Sequence, residues 1–459
     1  MLTYREALVY LDRYANYELN RPVRYTDEVF NLSRVHELLA RLGHPHRAYP
    51  TVHIAGSKGK GSTAVMIESA LRAAGYRTGL YTSPHLHTFR ERIRVDGELI
   101  SPQELVGLVE EVAPHAEAVA GITWFEVVTA LAFLYFAQRA VDIAVIEVGL
   151  GGRLDATNVI TPLVSVITSL SYEHTAWLGD TLSQIAFEKA GIIKPGVPVV
   201  SAPQDPEAMA VIERVSAERM APLIRVGEDW RFRLGPIRPD GQSFEVLLPV
   251  QMEDKSSCGV WLFDLPLLGR HQVVNAMCAL AAMAQLPSAR FHVSLMALRQ
   301  GLAQARWPGR AEILSLSPLV IVDGAHNGDS ARRLAETLSE WFPGQRWTFV
   351  VGTLSDKDHA AILRGLAPMA AELIMTRSRS IRATDPELLA QIARQTGVPT
   401  RVVPNVPVAL AEALALGDPV CLTGSLSIVA EAREAWAEAQ GGAWPEEEAL
   451  TWASISQLP

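Results

Sequence analysis

Hydrophobic positions follow two regular patterns along most of the chain. Short apolar runs typical of buried strands occur at residues 52–55, 77–81, 142–147 and 163–169. Helical spacing of apolar residues separates these runs and appears at residues 4–17, 32–42, 63–71, 102–119 and 124–138. The segment 63–71 reads as an amphipathic helix, and Ser33 as a cap of the second helix. Strands that alternate with helices predict a parallel sheet with right-handed crossovers.

The pattern changes between about residues 221 and 268. Short alternating runs at 230–234 and 244–248 are separated by glycine and proline. Such runs predict antiparallel hairpins, which we interpret as a β-rich appendage of the first domain. Helical spacing returns at 275–286.

A second α/β rhythm begins after residues 307–310, which we interpret as a joint between two domains. Apolar runs at 319–322, 347–351 and 420–423 each lead into a polar loop and then a helix. The sequence therefore predicts a larger domain at 1–307 and a smaller α/β domain at 308–459. In open α/β sheets ligands bind at such carboxyl ends of strands. We expect the tail after Gly441 to be a surface extension.

Composition narrows the class of protein. A chain of 459 residues is too long for a single hydrophobic core, so we expect two or three domains. The content of 49% hydrophobic and 20% charged residues is typical of a globular protein. The net charge of −9, without a basic block, argues against nucleic acid as a partner. The most apolar run, 127–137, is too short to span a membrane, and residues 1–20 lack the apolar core of a signal peptide. Three scattered cysteines favour a reducing compartment, so we expect a cytoplasmic enzyme (Cys258, Cys278 and Cys421).

The loop after the first strand is the clearest candidate for chemistry. Residues 56–63 contain three glycines and two lysines and lead into a helix. Glycines let backbone N–H groups point inward at an anion, the helix N-terminus adds partial positive charge, and Lys60 adds a full charge. The match to the general nucleotide loop is imperfect, because Ile54 and Gly61 stand where a glycine and a hydroxyl are expected. An ordinary glycine-rich turn is the alternative.

Three further residues could hold a metal ion. Glu147 ends an apolar strand just before a glycine-rich turn, where an acid near a phosphate site can bind Mg²⁺. A solvent-facing acid is the alternative. His174 follows a β-rich run, and a metal role gains weight only beside Glu147. Ser83 follows a strand and could be a cap or a ligand.

Other charged residues are ambiguous from the residues alone. Lys189 sits on a helical face, where a solvated lysine is the common case. Arg310 lies beside the joint and could clamp a phosphate or simply face solvent. Asp323 and His326 lie on a strand-to-helix loop of the second domain, and whether they face the cleft is open.

Motifs in a fixed order give the chain a family resemblance. They are residues 55–63, 81–86, 91–93, 125–126, 147–158, 174–175 with 178–179, 188–194, 269–272 with 275, 309–310, 323–327 and 356–358. In this set the chain resembles the folylpolyglutamate synthase/dihydrofolate synthase family, within the Mur-type ATP-dependent amide ligases. The resemblance implies an N-terminal P-loop-type parallel-sheet ATPase domain and a Rossmann-like C-terminal domain.

The resemblance also implies roles for particular residues. Phosphates of ATP would be held by Gly59, Lys60, Gly61 and Ser62, and other ATP contacts would come from Asn275, Arg310, Asp323 and His326. Magnesium, at two sites, would be bound by Ser83, Glu147 and His174, and Lys189 would carry a carbamate. The catalytic residues would be Lys60, Glu147, His174 and Lys189. The pterin substrate would lie against Thr123, Trp124, Phe125, Glu126, Leu154, Asp155 and Ala156.

The implied reaction joins glutamate to a folate precursor. A substrate carboxylate attacks the γ-phosphorus of ATP, and the amine of L-glutamate then attacks the acyl phosphate. The run 154–158 resembles that of the bifunctional enzymes, which act on dihydropteroate and on folates. We expect the protein to be a monomer. Two positions depart from the family: Lys58 replaces a usual Asn, and Ser427 stands where an aromatic is common.

Four alternatives remain open at this point. The chain could be a monofunctional folylpolyglutamate synthase or, within the same superfamily, a ligase of a cell-wall precursor. From other classes, it could be a P-loop switch or motor, or a catalytically silent binding module.

Overall fold

The structure is a computed structural model that describes residues 2–18, 29–247 and 260–442. Cys258, Leu248 at the end of one predicted run, Asn20 and the tail beyond residue 442 lie outside the described residues.

An eight-stranded sheet organises the first part of the chain. Its strands are β1 (Thr51–Ala55), β2 (Thr78–Tyr81), β3 (Ile93–Val95), β4 (Glu98–Leu99), β5 (Ile143–Glu147), β6 (Val164–Ile167), β7 (Val199–Ser201) and β8 (Leu223–Arg225). They are arranged in the order β4-β3-β2-β5-β1-β6-β7-β8. The strands β2, β5, β1, β6, β7 and β8 pair in parallel with their neighbours in that order. At the β2 edge of the sheet, β3 pairs antiparallel with β2 and with β4. The three central strands β5, β1 and β6 are buried along their whole length, as expected for strands covered on both faces.

Ten α-helices of the described residues belong to this part. They are α1 (Tyr4–Leu11), α2 (Leu32–Arg41), α3 (Lys60–Ala73), α4 (Pro102–Glu117), α5 (Trp124–Gln138), α6 (Thr175–Leu178), α7 (Leu182–Ala190), α8 (Pro206–Glu218), α9 (Arg270–Ala284) and α10 (Leu295–Gln304). α1 ends six residues before the predicted end, because the chain turns to let Ala15 O accept the Trp124 N–H. The cap of α2 is Asn31, not Ser33, since the Asn31 side chain accepts the Ser33 N–H.

Helix α3 differs from its prediction in a useful way. It is buried on every side from Gly61 to Leu71, rather than amphipathic. The sheet covers one side, and α10 packs so closely that a Cβ on Gly301 would lie 2.3 Å from Ala70 Cα. Ser69 Oγ donates to Gly301 O at the same crossing. A helix buried all round presents no polar face from which a period could be read.

The predicted hairpins form a small antiparallel sheet. Its strands β9 (Arg231–Arg238), β10 (Gly241–Leu247) and β11 (Val260–Leu265) lie in the order β11-β10-β9. Phe244 and Phe263 stack across β10 and β11 at 5.4 Å and join the main core. Because β8 belongs to the large parallel sheet, the antiparallel segment starts later than residue 221.

A second, six-stranded sheet follows residue 310. Its strands are β12 (Glu312–Leu316), β13 (Leu319–Val322), β14 (Trp347–Val351), β15 (Ala370–Met375), β16 (Thr400–Val402) and β17 (Val420–Thr423), in the order β12-β13-β17-β14-β15-β16. Only β12 is antiparallel. The helices are α11 (Gly328–Trp341), α12 (His359–Leu366), α13 (Pro386–Arg394), α14 (Val406–Ala415) and α15 (Leu426–Ala439). The predicted α/β fold class, with two sheets and a β-rich appendage, is confirmed.

None of the helices in the described residues is both long and apolar enough to cross a bilayer.

Candidate active site

The loop between β1 and α3 is shaped by three close approaches. Gly59 has φ +90°, and a Cβ on it would lie 2.2 Å from Asn275 Oδ1. A Cβ on Gly61 would lie 2.5 Å from the Trp307 ring, and one on Gly56 would meet Thr168 at 1.8 Å. Only glycine fits these positions, so the loop backbone lies against α9, the joint and β6 at once.

Two lysines converge on one carbonyl oxygen in this loop. Lys60 Nζ lies 3.2 Å from Gly56 O, and Lys189 Nζ lies 2.9 Å from the same atom. Lys189 is only 4% exposed. Its burial, and then the charge of Lys60, lower its pKa from 10.5 to about 7. The solvated-lysine alternative for Lys189 is therefore wrong, and the pair forms a cationic pocket suited to an anion.

Glu147 is buried beside the loop of Ser83. The Ser83 N–H donates to Glu147 Oε2 at 3.1 Å, and the carboxylate is 3% exposed. Burial raises the pKa of Glu147 to about 7, and Lys60 is the strongest opposing charge. The solvent-facing alternative for this acid is wrong.

The donors at this point fit Mg²⁺. A carboxylate and a hydroxyl are hard oxygen ligands, and Mg²⁺ is usually bound by one or two protein groups together with phosphates and water. Among the described residues no group of three or more His, Cys, Asp or Glu side chains could hold a metal ion. An ion at Glu147 and Ser83 would therefore need further ligands, such as nucleotide phosphates and water.

His174 begins the short helix α6 in the left-handed region, with φ +53°. Its ring stacks on Trp177 at 5.8 Å, with 4° between the planes. It follows Ser169, whose carbonyl accepts the N–H groups of Ser57 and Lys58, so the segment after β6 is tied to the phosphate loop.

Glu173 is a residue that the motif analysis missed. One oxygen, Oε1, lies 2.6 Å from Lys58 Nζ and 3.4 Å from His326 Nε2. It therefore connects the phosphate loop to the second sheet. The signal available in the sequence was an acid beside His174, but nothing local indicates its two partners.

Arg310 lies just before β12, Asp323 and His326 follow the carboxyl end of β13, and His326 approaches Glu173 of the first domain. Asp323 accepts the N–H groups of Ala311 and Ala325 at 2.7 and 2.8 Å, which fixes the joint after Arg310. Burial raises the pKa of Asp323, and the charge of Arg310 opposes that rise. His326 Nδ1 contacts Gly324 O at 2.8 Å, which leaves Nε2 directed at Glu173.

Several residues predicted to bind substrate also shape the backbone. Thr123 and Glu126 form a capping box at the start of α5, and Arg34 pairs with Glu126 at 2.9 Å. Asp155 accepts the N–H groups of Gly149, Leu150 and Thr157, so it closes the glycine turn after β5. Their polar atoms are thus largely used within the protein, and they set the shape of a pocket rather than offer free polar groups.

The two aromatic residues of the same region pack against different partners, Gly149 and Arg92. The Phe125 ring occupies the space beside Gly149, since a Cβ there would lie 2.4 Å from its Cζ. The Arg92 guanidinium lies 4.8 Å above the Trp124 ring and pairs with Glu18 at 2.6 Å. Leu154 is half-buried and Ala156 is buried on the neighbouring turn.

Comparison with known proteins covers both sheets. The Mur ligase middle domain family matches residues 54–283, and the Mur ligase glutamate ligase domain family matches residues 309–426. The chain is 41% identical to the dihydrofolate synthase/folylpolyglutamate synthase of Bacillus subtilis, over 74% of this chain and 79% of that protein. It is 38% identical to a probable bifunctional folylpolyglutamate synthase/dihydropteroate synthase of Haloferax volcanii, over 88% of this chain, but it spans only about half (48%) of that protein.

Solved structures agree along nearly the whole length. The folylpolyglutamate synthase of Thermotoga maritima superposes with a TM-score of 0.82 at 36% identity, covering 97% of this chain and 98% of that one. The Escherichia coli FolC protein, solved with DHPP and ADP, superposes with a TM-score of 0.81 at 31% identity, covering 96% and 99%.

Proposed function

The chain belongs to the folylpolyglutamate synthase/dihydrofolate synthase family of ATP-dependent, ADP-forming Mur-type ligases, and we propose that it joins L-glutamate to dihydropteroate and to folates. The observation that carries this proposal is the pocket at the phosphate loop, where Lys60 Nζ lies 3.2 Å from Gly56 O at the N-terminus of α3. A reaction between a substrate carboxylate and a triphosphate brings two anions together, and the charge of Lys60 with the N–H groups of the loop would lower the cost of their approach.

The phosphate loop would hold ATP. Its backbone curls around Gly59, and α3 directs its N-terminus at the pocket, so the N–H groups of Gly61 and Ser62 would face the phosphates. Lys60 would neutralise charge on the transferred phosphoryl group. Asn275 packs on Gly59, which places its amide at the edge of the same site.

Glu147 and Ser83, with His174, would hold Mg²⁺. Bound there with ATP, Mg²⁺ supplies Lewis-acid stabilisation of the phosphate oxygens. The protein's own task is to keep the Glu147 carboxylate ionised and aimed at the pocket. Lys60 and the Ser83 N–H both favour the ionised form and oppose the effect of burial.

Lys189 would carry a carbamate. A pKa of about 7 leaves much of this amine neutral near neutral pH, and only a neutral amine reacts with carbon dioxide. The product is an anion next to Lys60, which replaces a repulsive pair of cations with an attractive pair and helps place a second metal ion.

The second domain would complete the site. Arg310, Asp323 and His326 would face the pocket from the second domain, and the contacts of Glu173 with His326 and Lys58 support this arrangement. An acyl phosphate hydrolyses in water, so closure of this domain would protect the intermediate until glutamate attacks. We propose a domain boundary between residues 307 and 308, in the joint that leads to Ala311, whose N–H group donates to Asp323.

Dihydropteroate is proposed as a substrate alongside folates. The support is the turn at 154–158 and the similarity to the E. coli protein solved with DHPP and ADP. Phe125 and Ala156 would flank the pterin ring. A protein that acts only on folates is the second candidate. Use of ATP fits a cytoplasmic enzyme.

An assay of ADP release tests the proposal. The purified protein is incubated with ATP, Mg²⁺ and L-glutamate, with dihydropteroate, tetrahydrofolate or a UDP-linked cell-wall peptide as acceptor. We expect ADP release with the first two acceptors and none with the third. Release with tetrahydrofolate alone would limit the protein to folates, and release only with the cell-wall peptide would overturn the proposal.

A further inference from the structure

The loop that carries Ser83 leaves the first sheet and enters the second domain. Leu86, three residues after Ser83, is 6% exposed and belongs to the hydrophobic cluster of Val320, Val350 and Val429. Those three residues lie on β13, β14 and α15 of the second domain. Leu86 is the residue by which this loop becomes part of another domain's core.

His87 makes the polar counterpart of this contact. It is 3% exposed, its Nε2 lies 2.7 Å from Arg433 Nη1, and its Nδ1 lies 3.4 Å from Glu434 Oε1. Since a guanidinium only donates, Nε2 is the acceptor and Nδ1–H points at the carboxylate. The imidazole is therefore held in one orientation by α15.

Arg433 connects the same loop to the joint between the domains. Its Nε lies 3.2 Å from Glu312, and Glu312 Oε2 accepts the Gly309 N–H at 2.8 Å. Gly309 precedes Arg310. The loop and the joint thus share a single guanidinium.

The backbone of the loop between Ser83 and Thr88 is held rigidly by one side chain. The Glu91 carboxylate accepts the N–H groups of Leu86, His87 and Thr88 at 2.7, 2.8 and 3.1 Å. Three charge-assisted bonds to successive backbone groups make the tip rigid. At the other end of this rigid segment, the Ser83 N–H donates to Glu147 at 3.1 Å.

We propose that Leu86 and His87 are positioning residues that make the metal site depend on the second domain. With the second domain seated, they hold Ser83 against Glu147; when it moves away, Ser83 moves with it and the metal site loses a ligand. This inference rests on the proposed function, because it assumes that Ser83 and Glu147 bind the metal of a metal–nucleotide complex.

Leu86→Ala tests the proposal. We expect the half-saturating Mg²⁺ concentration for ADP release to rise about tenfold, as when groups that orient metal ligands are lost. The KM for ATP at saturating Mg²⁺ should change little. Electron paramagnetic resonance of Mn²⁺, titrated in the presence of a non-hydrolysable ATP analogue, should show a matching weakening without any need for turnover. Leu86→Met, which refills the cavity, should restore both values.

Leu410→Ala is the matched control. Leu410 lies in the same cluster and is 2% exposed, but it belongs to α14 and not to the loop that carries Ser83. It should lower the melting temperature but leave both metal values unchanged. An equal metal shift in both alanine variants, or none in Leu86→Ala, would overturn the proposal. If Leu86→Ala does not fold, His87→Ala replaces it with the same expected shift and the same contrary result. Normal Mn²⁺ binding by a wild-type protein that forms no amide would count against the proposed function and leave the positioning result readable.

Discussion

The two α/β units present polar side chains at the carboxyl ends of their strands but use them differently. In the first unit, two ammonium groups approach the carbonyl oxygen of Gly56, and burial lowers the pKa of Lys189, which favours its neutral form. In the second, the Asp323 carboxylate is satisfied by two backbone N–H groups of its own unit. Two neighbouring ammonium groups favour the binding of an anion between them, whereas the Asp323 carboxylate already accepts two hydrogen bonds and holds the backbone in place. From this difference we expect the first unit to carry the phosphate chemistry and the second to position the nucleotide.

Lys60→Ala should give the largest effect, because under the proposed function it removes the cation that would neutralise the transferred phosphoryl group. We expect turnover to fall about 1,000-fold, the upper range for loss of one charge-stabilising group. Circular dichroism and the melting temperature should stay close to wild type. Steady-state kinetics of ADP release measures the loss.

Arg310→Ala is the matched variant from the second unit. If that unit mainly positions the nucleotide, this variant should raise the KM for ATP more than it lowers kcat. Equal losses of kcat in Lys60→Ala and Arg310→Ala would erase the contrast between the two units.

Lys189→Ala should give an intermediate effect. Loss of the proposed carbamate removes an anion next to Lys60, and we expect activity to fall about 100-fold, as for loss of a group that orients a metal. Formate or acetate added at millimolar concentration should restore part of the activity, because a short carboxylate fits the space of the missing group. Lys189→Arg, which keeps a cation and fills the space, should show no rescue.

The pH dependence of the wild type checks the same group. The folded pKa of Lys189 is about 7 against an ordinary 10.5, so the unfolded chain binds more protons between these values. The contribution of Lys189 to the stability of the nucleotide-free protein should therefore rise with pH across this window. Activation by bicarbonate should likewise strengthen as pH passes through about 7, where the neutral amine appears. Bicarbonate activation that weakens over this range would contradict the carbamate.

Local sequence pattern accounts for most of the fold and for part of the site. Strand β13 begins and ends where the pattern predicts, because a buried strand between the turn at Ser317-Pro318 and the polar loop that starts at Asp323 leaves a plain apolar run. The burial of Lys189 was not predicted from the residues alone, although the buried stripe of α7 runs through Leu182, Ile185 and Ala186 to this lysine. The bond between Glu173 and Lys58 was not predicted either, because it joins residues 115 positions apart on two loops. Contacts of that kind depend on how β1 and β6 lie side by side.

Lys58→Asn should give the smallest effect, and it tests where the contrast between the units ends. Lys58 and Glu173 are 20% and 14% exposed, so water screens part of their attraction, and we expect a cost of about 1 kcal/mol or less. The Lys58 N–H still donates to Ser169 O at 3.0 Å, so the phosphate loop keeps its shape. The KM for ATP should then rise about threefold, in keeping with that energy, and kcat should hold.

Glu173→Gln weakens the contacts to both Lys58 and His326 and should therefore act more strongly than Lys58→Asn. If Lys58 acts only through this carboxylate, the double variant should match Glu173→Gln alone, because the shared contact can be lost only once. A fall in kcat in Lys58→Asn as large as that in Lys60→Ala would instead place Lys58 among the groups that meet the phosphates. The groups that act on the phosphates would then include Lys58, which contacts the second domain through Glu173. The proposed separation of phosphate chemistry in the first unit from positioning in the second would then be wrong.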